Sequence, residues 1–452
     1  MNRTIIENGH IATVDPLGTE HGTGFVVIDG GVIAAVGAGK APAEWRAGAE
    51  IIDAKGCLVT PGLVNTHHHL YQWLTRGYAQ DSILFDWLTT LYPLWSRIDA
   101  DLTGAGAAGA MAVLARSGCT TVGDHHYVFP QGSGDIVGAL VDAASTVGVR
   151  LHATRGSMDL GASQGGLPPD FAVETTDAAL RASQEAVEQY HDTSRDAMVK
   201  IAIAPCSPFS VTADLLRESA VLARSLGVRL HTHASETVEE DAYCQEHFGK
   251  SPTQHLEDLG WLGDDVWMAH GVHLDDTAIA RYAATGTGVA HCPSSNARLA
   301  AGIAPVVDLL RAGVPVGLGV DGAASNESGQ LGIEIRESVL MNRLRTGADS
   351  MSVRDGLRIA TIGGARVLGR DAEIGSLEVG KLADIAVWRV DTIEHAGIID
   401  PVAALGLGAL PPLKRLLVGG NTVVEEQTLI TADENVLARA VAAASLALAE
   451  RL

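Results

Sequence analysis

The chain has 452 residues, 46% of them apolar and 19% charged, which suits a compact enzyme core with an accessory domain and excludes a disordered or fibrous chain. Its net charge of −22 repels phosphate backbones and anionic lipid, so nucleic acid and membrane surfaces are excluded as partners, and a small neutral molecule is the expected one. No apolar run reaches the roughly 18 residues of a membrane span, and the start Met1-Asn2-Arg3-Thr4 leads into a polar segment rather than a signal core.

In chain order, residues 1–60 read as strand-rich. Gly24–Ile33 alternates around Asp29-Gly30-Gly31, which predicts a hairpin. Eight β-type runs follow: Cys57–His67, Cys119–His125, Val149–Arg155, Val199–Pro205, Val228–His233, Val266–His270, Gly288–Cys292 and Pro315–Asp321. Helical stretches such as Asp101–Ser117, Thr176–Tyr190, Ala213–Leu226 and Val306–Ala312 lie between them. Strands alternating with helices predict parallel βα units, and eight of them predict a closed (β/α)8 barrel over residues 61–375. Residues 376–452 turn strand-rich again at Ala383–Val390 and Leu416–Val424 and finish in an Ala/Leu-rich helix, Glu434–Leu452. The two ends are therefore expected to pair into a small β-sandwich. Five scattered cysteines (Cys57, Cys119, Cys206, Cys244, Cys292) suggest reduced thiols in a cytoplasmic protein.

Seven of the eight runs end in a polar side chain: His67, Asp124/His125, Arg155, His233, His270, His291/Cys292 and Asp321. Barrel enzymes work at the C-terminal ends of their strands, so this pattern predicts a functional rim. His67 and His69 are spaced i, i+2, which points both imidazoles to one side of an extended backbone. With His233, His270 and Asp321 they provide the nitrogen and oxygen donors of a catalytic metal, zinc by donor type with iron as the alternative. Glu236 follows His233 by three residues, within reach of a proton at the metal site; the competing reading is a solvated member of the acidic run Glu239-Glu240-Asp241. His231 is the alternative ligand to His233.

Several segments together resemble the amidohydrolase superfamily, in its aminohydrolase branch: Pro61–His69, His233-x-x-Glu236, Ala269-His270-Gly271, Gly319–Gly322 and Gly375–Asp384. Within that branch Asn65–Arg76, Phe85–Trp95, Asp124–Pro130, Thr154–Leu160 and His291–Ala300 are most similar to the bacterial 8-oxoguanine deaminases. The resemblance implies one divalent metal on His67, His69, His233 and Asp321, with Glu236 as proton shuttle and His270 as an electrophilic partner. It further implies that Gln72 reads a polar edge of the substrate. Trp87 and Trp95 line the pocket or pack in the core, and Arg155 binds substrate or pairs with a carboxylate. Binuclear members of the superfamily bridge two metals with a lysine at the end of the fourth strand; here that strand ends Ala204-Pro205-Cys206, and Lys200 lies near its start.

The implied reaction is deamination of an aminated purine-like heterocycle, 8-oxoguanine to urate, a step of purine catabolism. Alternatives within the branch are isoxanthopterin or guanine deaminases and s-triazine hydrolases, and outside enzymes a metal-binding scaffold. A cytidine-deaminase type of site is excluded, because neither Pro205-Cys206 nor Cys292-Pro293 has the second cysteine of Pro-Cys-x-x-Cys. Self-association is compatible with a barrel of this size.

Overall fold

The computed structural model describes residues 3–451, so Met1, Asn2 and Leu452, the expected last residue of the final helix, lie outside it. Eight parallel strands close into a barrel in sequence order: Leu63–Asn65, Cys119–His126, Arg150–Ser157, Val199–Pro205, Leu230–Ala234, Val266–His270, Gly288–His291 and Val316–Leu318. Nearly every residue of these strands is buried, as expected where helices cover the outer face and side chains fill the inner one. Ala213–Leu226 shows how the outer helices form. Thr212 caps its first turn, Leu215, Leu216, Ser219, Ala220 and Ala223 make one buried stripe, and Gly227 ends it at φ 67°.

The first expected run is corrected by the structure. Cys57–His67 is two strands: Cys57–Pro61 belongs to the terminal sheet, and only Leu63–Asn65 enters the barrel. The break falls at Gly62, whose N–H donates to Asp384 of the terminal sheet, while Leu63 N–H donates to Gly118 at the barrel's edge. A side chain at Gly62 would lie 2.3 Å from Thr120, so only glycine lets the chain cross between the two layers there.

Both chain ends build one nine-stranded mixed sheet, in which Cys57–Pro61 joins Thr4–Ala12 on one side and Ile385–Arg389 on the other. Ile6, Val26, Ile28 and Val59 share a core with Ile385, Val387 and Leu417, so the two ends need each other to bury their apolar faces. The hairpin of Glu20–Asp29 with Val32–Ala38 turns through Gly30 and Gly31, both at positive φ. Sheet and barrel are tied by a buried pair: Arg150 Nε and Nη2 donate to Asp384 at 2.9 and 3.0 Å. The last helix, Glu434–Ala449, returns to the helix Ala100–Arg116, with Arg116 and Glu434 paired at 3.1 Å. Among the described residues no helix is long and apolar enough to cross a membrane.

Candidate active site

The barrel delivers five side chains to one point at its C-terminal end. His67 and His69 follow the first strand, His233 and His270 close the fifth and sixth, and Asp321 lies three residues beyond the eighth. All five are buried. Ser235, His270 and Asp321 take up left-handed backbone conformations (φ 54°, 74° and 65°), which non-glycine residues adopt at a cost of about 1 kcal/mol or more. Backbone bonds hold them there: Asp321 N–H donates to His67 at 3.1 Å, and His273 N–H to Ser235 at 2.9 Å.

Proton accounting shows what this cluster suits. His69 Nδ1 donates to the carbonyl of His125 (2.6 Å), and His233 Nδ1 to that of Cys206 (2.7 Å). His231 Nδ1 donates to Trp267 O (2.9 Å), so its Nε2 is left to accept from His67 Nδ1 at 2.8 Å. In each of His67, His69 and His233 the proton is thereby fixed on Nδ1 and the lone pair on Nε2. Burial, before any charge effect, pushes all three rings below the ordinary histidine range, keeping them neutral.

Yet the Nε2 atoms of His69 and His233 stand 3.1 Å apart, and Asp321 Oδ1 is 3.3 Å from Nε2 of both His67 and His69. Lone pairs and a carboxylate converging in a buried site, with no protons between them, suit a divalent cation. The donors form two groups that share His67, each with its ligand atoms within 4.8 Å of one another: His67, His69, His125 and His233, and His67, His270 and Asp321. His125 spends its Nε2 on the carbonyl of Ala204 (3.0 Å), which leaves it a neighbour of the cluster facing away through that atom.

Beside the cluster, His270 Nε2 lies 3.5 Å from Glu236, while its Nδ1 is held at 3.0 Å by Asn296. Burial, and then the charge of Asp321, push the Glu236 carboxyl well above its ordinary range. Asp321 goes the other way. Burial favours its neutral form; His67, His270 and His69 hold it well below the usual carboxylate range to the extent that they carry protons, and Ser295 and Gly322 donate to its carboxylate in either case. Two carboxyl groups set apart in this way divide into a proton donor and a proton acceptor. Ser295 Oγ donates to Asp321 Oδ2 at 2.5 Å, and Gly322 N–H to Oδ1 at 2.6 Å. His231, the alternative ligand to His233, spends both ring nitrogens on His67 and Trp267. Ser295, Asn296 and Glu240 were not singled out as functional side chains from sequence. The segment His291–Ala300 carried the signal for two of them.

A pocket opens above these groups, walled by Leu84, Trp87, Leu88, Phe209 and Leu299, with Tyr92, Tyr127, Cys206 and Ser207 among its polar lining. Trp87 therefore faces it, with its indole N–H held by Ala324 O at 3.3 Å. Trp95 does not: it packs behind Trp87 at 5.0 Å, a core position, and donates to Thr75. Arg155 is turned away from the site, stacked over Phe129 and bonded to Glu174 at 2.7 and 3.0 Å. Gln72, on the short helix Leu70–Thr75, is wholly buried against Gly322 rather than at the pocket wall, with neither end of its amide hydrogen-bonded.

The chain belongs to the amidohydrolase family, whose sequence pattern matches residues 58–423. Among relatives, it is 44% identical to an 8-oxoguanine deaminase of Pseudomonas aeruginosa, over 93% of each chain. It is 38% identical to an isoxanthopterin deaminase from an unknown prokaryotic organism, over 95% of this chain and 92% of the other. Among solved structures, a zinc-complexed atrazine chlorohydrolase from Arthrobacter aurescens superposes with a TM-score of 0.92 at 32% identity, covering 98% of this chain and 100% of that one.

Proposed function

We propose that the chain is a mononuclear, metal-dependent deaminase that converts 8-oxoguanine and water to urate and ammonia. The observation that carries this reading is geometric: Asp321 lies 3.3 Å from Nε2 of both His67 and His69 in a buried three-histidine cluster, with Glu236 beside it, 3.5 Å from His270. The substrate is supported by the likeness to the Pseudomonas aeruginosa deaminase and by a pocket lined by Trp87, Tyr92, Tyr127 and Phe209 without a lysine or arginine among its lining residues.

His67, His69, His233 and Asp321 would hold the metal, zinc by the donor set, with iron as the alternative. Bound there, a divalent metal acidifies water and polarises the reacting centre. One metal is supported by the end of the fourth strand: Cys206 occupies the pocket, and Lys200, at the strand's other end, pairs with Glu373 at 3.3 Å. Glu236 gives its proton to a ring nitrogen beside the amino-bearing carbon, and Asp321 takes a proton from the attacking water. The water oxygen bonds to that carbon, gives its second proton to the now ionised Glu236 and becomes the product carbonyl as the C–N bond breaks. The departing amine takes a proton from Glu236 or Asp321 and leaves as ammonia, and the remaining proton restores Glu236. His270, whose Nδ1 donates to Asn296, would in its protonated form also donate from Nε2 to the developing charge on oxygen. The acidic surface and five buried free thiols support a cytoplasmic enzyme of purine breakdown.

The test is direct. Purified zinc-loaded protein is incubated with 8-oxoguanine, isoxanthopterin and guanine, and urate and ammonia are measured. No urate from 8-oxoguanine, or full activity in a metal-loaded Glu236→Gln variant, would overturn the reading.

A further inference from the structure

The aromatic slot can hold a flat ring but cannot by itself set which edge of the ring faces the metal cluster; that needs polar groups on the opposite wall. With Gln72, Trp95 and Arg155 placed elsewhere, four polar lining residues outside the metal cluster and its partners remain: Tyr92, Tyr127, Cys206 and Ser207. Ser207 Oγ is bonded to Ser210 Oγ at 2.7 Å. Burial pushes the Cys206 thiol up to about 12, so it stays a weakly polar S–H.

The two phenols differ from these. Tyr92 stands in the helix Leu84–Trp95 over the pocket, and its hydroxyl is buried with no hydrogen-bond partner. Tyr127 follows the second barrel strand and packs edge-on against His69 (5.1 Å) and His233 (6.0 Å), so its ring lies beside the metal cluster. Its neighbour on the far side is Tyr71, 6.0 Å away, whose own hydroxyl is also without a partner. A phenol ionises only at about pH 10, so Tyr92 and Tyr127 both keep their protons at neutral pH and can donate.

We propose that the hydroxyls of Tyr92 and Tyr127 form the polar wall of the pocket and donate hydrogen bonds to a ring carbonyl of a neutral, planar heterocycle, making these two tyrosines specificity-determining residues. The buried Tyr92 hydroxyl has no partner within the protein, so an acceptor on the substrate would satisfy it, and a heterocycle without a carbonyl on that edge would not. The inference rests on the deaminase reading for its substrate but not for its measurement.

Zinc-loaded wild type, Tyr92→Phe and Tyr127→Phe are compared on 8-oxoguanine, guanine and isoxanthopterin. Binding of the same three compounds is measured by calorimetry in a Glu236→Gln background, where turnover is removed. Each phenylalanine is expected to raise KM and Kd for 8-oxoguanine about tenfold or more while kcat changes much less, with zinc content and melting temperature unchanged. A purely structural role would instead move the melting temperature. KM and Kd within twofold of wild type in both variants overturn the proposal. If the wild type turns over none of the three, the activity reading fails. The phenols are then judged by calorimetry on whichever compound binds tightest, and unchanged Kd, or no binding by any of them, overturns the proposal.

Discussion

Glu240 holds Glu236 by its backbone: one carboxylate oxygen accepts the N–H of Ser235 at 2.9 Å and the other that of Glu236 at 2.8 Å. Ser235 sits at φ 54°, so this clamp keeps a strained turn from relaxing and with it the aim of the Glu236 side chain toward His270. Glu240→Gln keeps one acceptor but turns an NH₂ toward the second N–H. We expect kcat to fall on the order of tenfold to a hundredfold, the cost of a small misplacement of a catalytic group, with metal content unchanged. Steady-state kinetics beside metal analysis decide it, and a kcat within threefold of wild type would refute the clamp.

His231 faces His67 in the same supporting way. Its Nε2 takes the proton of His67 Nδ1 at 2.8 Å, and its ring is stacked on Trp267 at 4.3 Å. His231→Phe fills the same space without the acceptor and leaves a buried N–H on His67 unpaired. Loss of such an outer partner lowers metal affinity about tenfold to a hundredfold. Competition with a chelator of known affinity measures this; an unchanged zinc affinity would mean that His231 does no more than pack.

The barrel and its rim were legible because both depend on short-range pattern. Strand ends carrying His67, His233, His270 and Asp321 are marked by the apolar runs before them, and the i, i+2 spacing of His67 and His69 is geometry that any extended segment imposes. What lay beyond the sequence depended on which way a side chain turns once helices pack. Arg155 ends its strand like the others, yet finds Glu174 and Phe129. Trp87 and Trp95 share one helix, and only the former meets the pocket. Glu240 sits between Glu239 and Asp241 in the acidic first turn of a helix, a place where such residues are ordinarily solvated, so nothing local distinguished the buried one. The split of the first run at Gly62 was hidden for a related reason: both halves are apolar, and only the close approach of Thr120 shows that the chain changes sheets.

Glu334 predicts a pH dependence of stability. It is buried, accepts Ser294 N–H at 3.1 Å and the Asn326 amide at 2.8 Å, and burial pushes its carboxyl from 4.5 up to about 7 despite those bonds. In the unfolded chain the group ionises near its ordinary value, so folding must hold a proton that the unfolded state has already lost. Its contribution is therefore full below about pH 4.5 and is lost as pH rises through about 7, a change on the order of 3 kcal/mol. Urea midpoints at pH 5 and pH 8 should separate more in wild type than in Glu334→Gln. Identical differences for the two proteins would exclude the carboxyl as the titrating group.

The link between sheet and barrel can be tested at Arg150 and Asp384, both 2% exposed at the side chain. Asp384 also accepts Gly419 N–H at 2.8 Å, and Arg150 donates to the carbonyl of Asp196 at 2.8 Å, so each anchors more than its partner. Removing one charge strands the other away from water. Asp384→Asn is expected to cost about 3–5 kcal/mol, the usual penalty for an uncompensated buried ion. The pair itself is worth less than that penalty, because burying both charges already cost solvation. An Arg150→Met/Asp384→Leu double variant should therefore recover much of the loss. Urea unfolding of wild type, the single variant and the double variant gives the comparison. A single variant losing less than about 1 kcal/mol, or a double variant less stable than the single, would show that the two layers are held by their apolar contacts alone.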